Sequence, residues 1–445
     1  MNKMEDIISL AKRKGFVFQS SEVYGGLSGV WDYGPLGIEI KKNIQEEWWK
    51  SMVYLHENVV GLDSTILMRP EVWKASGHVD NFVELLVDCK NCKSRFRTDL
   101  IDLSKECPKC GSMGTFTAPR SFNLMFKTNI GAVEDSLSEI YLRPETAQGI
   151  FVNFRNVLDS TRLKIPFGIA QVGKAFRNEI IAKNFIFRVC EFEQMEMQFF
   201  LHPDQMDEWY LYWQHKRMHF FTDILGIKFD NLRLKAHDHN ELAHYAKSAI
   251  DIEYQFPFGF QEIEGIHNRG DYDLNQHAKF CGKPKLFEYH DLVTGDRYVP
   301  YVIETSLGLT RSVLMTLCDA YSNEELDGGD RRIVLRLHPK IAPYKVAILP
   351  LVKKDGLPEL ARKVFMQFRD DFYMIYDENG TIGKRYRRQD EIGTPYCVTI
   401  DYDTIKNGTA TLRDRDTMTQ TRIPVDELYS YIKTEILNYR GVSNR

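Results

Sequence analysis

The chain has 445 residues, enough for two or three domains that each bury a core of their own. Its 43% hydrophobic and 27% charged residues are ordinary for a globular protein, and no apolar run approaches the roughly 18 residues of a membrane span. A net charge of −4 argues against general charge-driven coating of nucleic acid but leaves room for a local basic groove.

The N-terminal stretch is charged and amphipathic, without a signal-peptide core or cleavage pattern, so no membrane association and a cytoplasmic location are expected. Residues 6–14 read as a helix. A glycine- and aromatic-rich segment, SSEVYGGLSGVWDYGPLG, follows at residues 20–37. It runs into a helix on which Ile40, Ile44, Trp48 and Met52 form one apolar stripe, with Lys41, Gln45 and Glu46 on the wet side.

Residues 84–117 form a cysteine-bearing insertion. Cys89-x2-Cys92 and Cys107-x2-Cys110, fourteen residues apart, have the spacing of a structural zinc site. Four thiolates complete a tetrahedron and leave no open position for catalysis. The bland alternative, disulfides or redox thiols, does not suit a reducing compartment. Cys190, Cys281, Cys318 and Cys397 are scattered and read as free thiols.

Residues 141–150 and 165–200 are expected to supply strands. The second stretch carries the densest chemistry, IAQVGKAFRNE and then FRVCEFEQMEMQFF. Alternation puts Val189, Met195, Met197 and Phe199 on one face, and Arg188, Phe192, Gln194 and Glu196 on the other. Arg177 and Glu179 share a face in the same way. Such a surface would hold an anionic, flat-ringed ligand beside an amine. Gly168 and Gly173-Lys174 mimic a phosphate-binding loop, but Ala175 stands where Ser or Thr should be and the intervening residues are strand material. The signatures HIGH and KMSKS are absent.

Residues 203–225 read as a helix. His237, His239 and His244 offer a weak metal pattern, set against an ordinary helix start capped by Asp238 or Asn240 with Glu241 in its first turn. Residues 298–305 read as a strand and residues 309–321 as a helix with Leu309, Val313, Leu314 and Leu317 inward. TSLGLTR, from Thr305 to Arg311, joins them. Punctuation at Asp327, Gly328, Gly329 and Asp330, with Pro339 and Pro343, sets a boundary near residue 340. Beyond it KVAILPL, PELARKVFMQFRDD, FYMIYD and YCVTID alternate strand and helix character, which indicates a small α/β domain with a mixed sheet.

Five pieces in order, GLSGVWDYGPLG, LRPETAQGIF, FRNE…FIFRVCEFEQME, EIEGIHNRGDYDL and VIETSLGLTR, resemble the class II aminoacyl-tRNA synthetases, specifically the homodimeric glycyl type. The resemblance covers nearly the whole chain. It implies an α+β catalytic domain built on an antiparallel sheet flanked by helices (residues 1–340, with the zinc-binding insertion at 84–117). It also implies a C-terminal α/β mixed-sheet anticodon-binding domain (341–445). The implied activity is ATP-dependent attachment of glycine to tRNA(Gly) through glycyl-adenylate, a reaction governed by positioning and charge neutralisation.

In that resemblance Arg177 bridges the glycine carboxylate and the α-phosphate, Glu179 accepts from the adenine amino group, and Arg188 holds the terminal phosphates. Phe192 and Arg311 sandwich the adenine, and Glu304 helps bind Mg²⁺. Glu145, Glu196 and Ser306 surround the glycine ammonium, with Glu264, Asn268 and Arg269 near the same pocket. Glycine offers no side chain to grip, so carboxylates on the ammonium and a filled Cβ position are the workable device. Two departures from the family pattern fall at Ala182-Lys183 and at Cys190, the latter expected on the site face. Residues 25–37 resemble a dimer-forming element, with Pro35 at its centre. Lys384, Arg385, Tyr386, Arg387 and Arg388 are the densest basic run, read either as a solvated face or as a tRNA phosphate contact. The competing reading is a synthetase-like polymerase accessory protein that lost catalysis; it predicts decay of the ATP residues, all of which are present. A second keeps the enzyme and changes the amino acid to alanine or serine.

Overall fold

The computed structural model describes residues 3–132, 138–180, 182–238, 242–243, 245–326 and 328–439. Its organising element is a seven-stranded sheet. In spatial order the strands are Leu232–Ala236, Ser248–Phe256, Gly259–Gly270, Tyr301–Gly308, Glu191–Leu201, Phe167–Phe176 and Val59–Gly61. Every neighbouring pair is antiparallel except the last. Gly168 and Gly173 lie inside the strand Phe167–Phe176, which disposes of the phosphate-loop mimic.

One face of this sheet is largely apolar. Met195, Met197, Phe199, Ile303, Leu307 and Ile266 are at most 1% exposed and pack on the helices Pro35–Trp49, Met206–His219 and Leu309–Ala320. The stripe of Ile40, Ile44, Trp48 and Met52 meets this core, and a π-helical turn at Lys50–Tyr54 extends the helix to carry Met52. The wet side is only partly wet. Lys41 reaches the sheet edge and its Nζ lies 2.7 Å from Glu193 Oε1.

The opposite face is divided. At one end Ile169, Phe167, Phe200 and Val302 are sealed by the helix Ala147–Thr161; the other end is open and carries the site. That helix corrects the strand expected over residues 141–150. Only Glu139–Leu142 is strand, because Ile150, Phe151, Phe154, Val157 and Leu158 recur with helical spacing and are buried together. The expected strand at 298–305 is likewise shifted. Arg297–Tyr298 pairs with Tyr289–His290, and the sheet strand begins only after Pro300, at Tyr301.

Sequence reading assigned no strands to residues 229–270, where three of the seven lie. The helix expected near His237 is not found: the strand Leu232–Ala236 ends there, and no helix occurs at the described residues 242–243 and 245–247. His239, Asn240, Glu241 and His244 lie outside the described residues, as does Asp327.

The insertion is a three-stranded sheet of Arg95–Arg97, Val83–Asp88 and Arg120–Asn123. The C-terminal part has its own core under a five-stranded mixed sheet, ordered Met374–Tyr376, Val346–Pro350, Tyr396–Ile400, Thr409–Asp414, Gln420–Pro424. The first three are parallel and the rest antiparallel. It is held to the first part by ionic contacts, one buried and one half-buried. Arg332 Nε lies 3.1 Å from Asp390 Oδ2, and Arg336 Nη1 lies 3.2 Å from Asp416 Oδ1.

Candidate active site

Strand register builds the site. Ala175 is paired with Phe192, Gly173 with Gln194 and Gln171 with Glu196; across the next ladder Glu196 meets Ser306 and Gln198 meets Glu304. Paired residues point to the same side, so Phe192, Gln194, Glu196, Gln198, Glu304 and Ser306 share one face. Gly173 keeps this row open: a Cβ there would lie 2.2 Å from Nη2 of the buried Arg143.

Over the open end lies a cleft of about 110 Å³. Arg177, Glu179, Arg188, Phe192, Gln194, Ser306 and Arg311 all line it. Arg177 and Glu179 lie past the end of their strand and Arg188 before the start of its own, so the connecting loop and not strand alternation brings them to the cleft. The Arg177 guanidinium lies between two rings, 5.2 Å from Phe192 and 5.3 Å from Phe82, and its Nε donates to Pro144 O at 3.1 Å. Arg188 lies 3.8 Å from Glu179. Arg311 sits 4.5 Å over the Phe187 ring and 3.2 Å from Glu262. Two arginine–aromatic pairs thus bound one cleft.

Where the cleft reaches Gln194 and Ser306, a buried polar cluster begins. Gln194 Nε2 donates to Ser306 Oγ at 3.2 Å, and Gln194 Oε1 accepts from the Thr146 amide at 3.2 Å. The Thr146 hydroxyl donates to Glu196. Gln198 Nε2 donates to Glu196 Oε1 at 3.1 Å and to Glu304 Oε1 at 2.8 Å. Glu304 also takes Arg269 Nη1 at 2.9 Å and His267 Nδ1 at 2.6 Å. Glu145, 7% exposed, accepts from Gln148 Nε2 at 3.0 Å and lies 3.3 Å from His78 Nε2.

These surroundings split the three carboxyls. Burial, and then the charge of Glu304, push Glu196 well above the usual range. Burial would raise Glu304 too, but Arg269 and His267 outweigh it and hold it well below. Burial likewise opposes ionisation of Glu145, yet His78 and Arg269 bring it down to about 2. The surroundings therefore make Glu196 the carboxyl of the three that takes up a proton most readily, beside two held toward the anionic form.

Glu264 is not part of this group. Its register partner is Leu307, on the apolar face, and its carboxylate is fully buried against Arg217 Nε at 2.6 Å. Here the EIEG alternation left the choice of face open, and the ladder settles it through Gly265, which pairs with Ser306. Asn268 turns back to accept from its own Gly270 amide at 3.1 Å. Arg269 does reach the cluster, through Glu304 and Asp273. Cys190 is also displaced from the expected face: the strand starts at Glu191, and the Cys190 backbone bonds Gly29 O at 2.8 Å. A Cβ on Gly29 would lie 3.2 Å from Cys190 Sγ and 2.7 Å from the Ala182 Cβ, so both departures pack on the glycine-rich segment. His78, Thr146, Gln198 and His267 went unnoticed in the sequence. Gln198, two residues beyond Glu196, was available from alternation alone; His78 had no local signal.

Glu304 does not suit Mg²⁺. It is 3% exposed and both its oxygens already face cationic or amide donors. The cysteine cluster does suit zinc. All four sulfurs lie within 4.8 Å of one another, with Cys89 to Cys110 at 3.7 Å and Cys92 to Cys107 at 3.8 Å. A tetrahedron of Zn–S bonds of about 2.3 Å has edges of about 3.8 Å. His237 Nε2 instead donates to Asp251 Oδ2 at 2.7 Å; the other two histidines of that pattern, His239 and His244, lie outside the described residues.

The basic run on the helix Ile382–Ile392 is mostly structural. Arg385 is 2% exposed and donates to Leu351 O at 3.0 Å; Tyr386 bonds Thr399 at 2.6 Å. Arg387 donates to Arg331 O at 2.7 Å, and Arg388 pairs with Asp377 at 2.6 Å. Lys384 is exposed.

Residues 126–320 match the family described as tRNA synthetase class II core domain (G, H, P, S and T), and residues 345–435 match the anticodon binding domain. The chain is 84% identical to glycine–tRNA ligase of Borrelia hermsii and 75% identical to that of Borreliella burgdorferi, in each case over the full length of both chains. It is 59% identical to the glycine–tRNA ligase of Treponema denticola over 98% of each chain. Its fold is similar to a solved prolyl-tRNA synthetase from Cryptosporidium parvum complexed with halofuginone and AMPPNP. The TM-score is 0.68 at 16% identity, covering 98% of this chain and 77% of that one.

Proposed function

The chain belongs to the glycine–tRNA ligase family of class II synthetases and so attaches glycine to tRNA, and we propose that it does so by forming glycyl-adenylate in the Arg177 cleft. The observation that carries this reading is the junction of two environments on one sheet face. An open cleft bounded by Arg177, Arg188, Arg311 and Phe192 adjoins a buried carboxylate cluster at Gln194 and Ser306. The cleft takes ATP: Phe192 offers a ring to the adenine, Glu179 an acceptor for its amino group, and Arg188 a charge for the phosphates. Arg311 closes the opposite side after leaving Phe187. Glu145, Glu196 and Ser306 take the ammonium of glycine.

Arg177 then faces both the glycine carboxylate and the α-phosphate. Its permanent planar charge neutralises the two anions that must meet, and its contacts with Phe82, Phe192 and Pro144 O orient it before substrate arrives. The Arg177 guanidinium lets the carboxylate oxygen attack the α-phosphorus while pyrophosphate leaves. Mg²⁺ enters with the ATP phosphates, and Glu304 acts instead as the fixed anion that sets Gln198 and, through it, Glu196.

We assign residues 1–340 to the catalytic part and 341–445 to an anticodon-binding part, with Zn²⁺ held by Cys89, Cys92, Cys107 and Cys110 as a structural ion. The exposed Val23, Tyr24 and Leu27, at 89, 91 and 57%, support a symmetric dimer through the glycine-rich segment. We place the protein in the cytoplasm, where its eight cysteines, none of them in a disulfide, stay reduced; no described helix is long and apolar enough to cross a membrane. ATP–pyrophosphate exchange measured with each standard amino acid tests the activation step. Exchange that depends on glycine is expected; exchange with none, or with another amino acid in preference, would overturn the reading.

A further inference from the structure

We propose that His78 is a positioning residue for the amino-acid step, holding the Glu145 carboxylate in the orientation that receives the substrate ammonium. The proposal rests on the reading of Glu145 given above and extends it to a residue outside every motif that marks the site. His78 lies just past the helix Pro70–Ala75, at the start of the single turn His78–Asn81, and is 7% exposed. The preceding Gly77 has φ 80°, a left-handed conformation that turns the chain so that the imidazole points inward.

Both ring nitrogens are engaged. Nδ1 lies 2.8 Å from Ser76 Oγ and Nε2 lies 3.3 Å from Glu145 Oε2. Nε2 faces the carboxylate, and Ser76 Oγ, which donates to Trp73 O at 3.3 Å, holds the opposite ring nitrogen. Trp73 and Phe82 stand edge-on to the ring, at 5.7 and 5.5 Å and 82° and 66°, and fix its plane. The backbone of the turn is fixed too, since Asn123 Nδ2 donates to Val79 O at 2.9 Å.

Glu145 is gripped from the other side by Gln148 Nε2 at 3.0 Å, which is itself held by Asp273 Oδ1 at 3.1 Å and His277 Nε2 at 2.8 Å. Each Glu145 oxygen thus spends one lone pair on the protein and keeps one for substrate. His78 is also the leading favourable influence that keeps this buried carboxyl ionised. A histidine that merely filled space between Trp73 and Phe82 would require neither the Ser76 bond nor the alignment of Nε2.

Exchange kinetics on His78→Phe, His78→Gln, Glu145→Gln and the His78→Phe/Glu145→Gln double variant test this. Loss of one donor to a buried carboxylate is expected to raise the glycine KM of His78→Phe about tenfold or more. The ATP KM should stay within about twofold of wild type. His78→Gln, whose amide can still donate, is expected to recover most of the loss, and the double variant to be no worse than Glu145→Gln alone. If the Phe variant does not fold, His78→Asn supplies a polar side chain too short to reach Glu145 and takes its place. Parallel rises in the glycine and ATP KM, no rescue by Gln, or multiplying effects in the double variant would each overturn the proposal. A silent His78→Phe beside an impaired Glu145→Gln overturns only the role of His78. A silent Glu145→Gln overturns the reading of Glu145, and the proposal with it.

Discussion

Glu196 and Glu304 are chemically identical side chains on neighbouring strands, two residues apart in register, yet their proton affinities are pushed in opposite directions. The difference is in what faces them. Arg269 and His267 converge on Glu304, whereas Glu196 meets a hydroxyl, an amide and the charge of Glu304 itself. A glycine ammonium is a cation that favours the ionised carboxylate, so its binding displaces the Glu196 proton. Protonation of Glu196 opposes binding, so the glycine KM is expected to fall as pH rises above the ordinary carboxyl range and through the raised pKa of Glu196. Glu196→Gln removes both the charge and the titration. It is expected to raise the glycine KM by about tenfold or more and to flatten this pH dependence. Near-normal glycine kinetics in that variant would remove Glu196 from the ammonium site. Of these properties the sequence showed the residue and its face, because alternation is local. It did not show the opposite shifts of the two carboxyls, since Arg269 and His267 reach Glu304 from another strand.

The cysteine insertion is the element whose order is expected to depend on a ligand, the zinc proposed at its four cysteines. Its sheet of Val83–Asp88, Arg95–Arg97 and Arg120–Asn123 buries little apolar surface beyond Leu86 and Val87. Structural zinc in such knuckles contributes apparent binding free energy on the order of 10 kcal/mol at neutral pH, far more than those two side chains supply. Chelation of the metal is expected to make residues 84–117 the first site of proteolytic cleavage, with metal loss checked by elemental mass spectrometry. Unchanged cleavage kinetics after verified metal removal would rule the structural ion out. The insertion also leads directly into the site. Phe82, which faces Arg177, immediately precedes the strand Val83–Asp88, and Asn178 N bonds Leu124 O at 2.7 Å just after Arg120–Asn123. Cysteine spacing made the element legible in the sequence. Its position against Arg177 was not legible, because the spacing says nothing about what the outer strands touch.

At the scale of the whole molecule, two buried histidines link stability to pH. His277 packs in the catalytic part against Gln148, and His338 sits at the junction, edge-on to Tyr439 at 4.9 Å and 84°. Burial is the main cause that lowers each from 6.5 to about 4. A histidine with a depressed folded-state pKa binds its proton more readily when unfolded, so stability is full above about 6.5 and is lost as pH falls toward 4. Each is expected to cost about 2 kcal/mol between pH 7 and 5. Denaturant midpoints should therefore drop over that interval, and His338→Gln should reduce the drop by about half. A midpoint independent of pH across that window would contradict the buried neutral state. The junction itself, with Arg332 on Asp390 and Arg387 on Arg331 O, absorbs part of the basic run that sequence alone offered to solvent or to tRNA.

Local chemistry was decided by the sequence alone: the apolar helix stripes, the alternating strand pair, the zinc-knuckle spacing and the order of the synthetase-like motifs. These depend on spacings of a few residues, and backbone periodicity converts such spacings into shared faces without help from the rest of the chain. Tertiary structure decided which carboxylates meet. Glu264 is turned away by one step of register, Glu304 is claimed by Arg269 and His267, and His78 is brought to Glu145 across long stretches of chain. Those outcomes are set by ladder register and by contacts between distant elements, and a one-residue shift would reverse them.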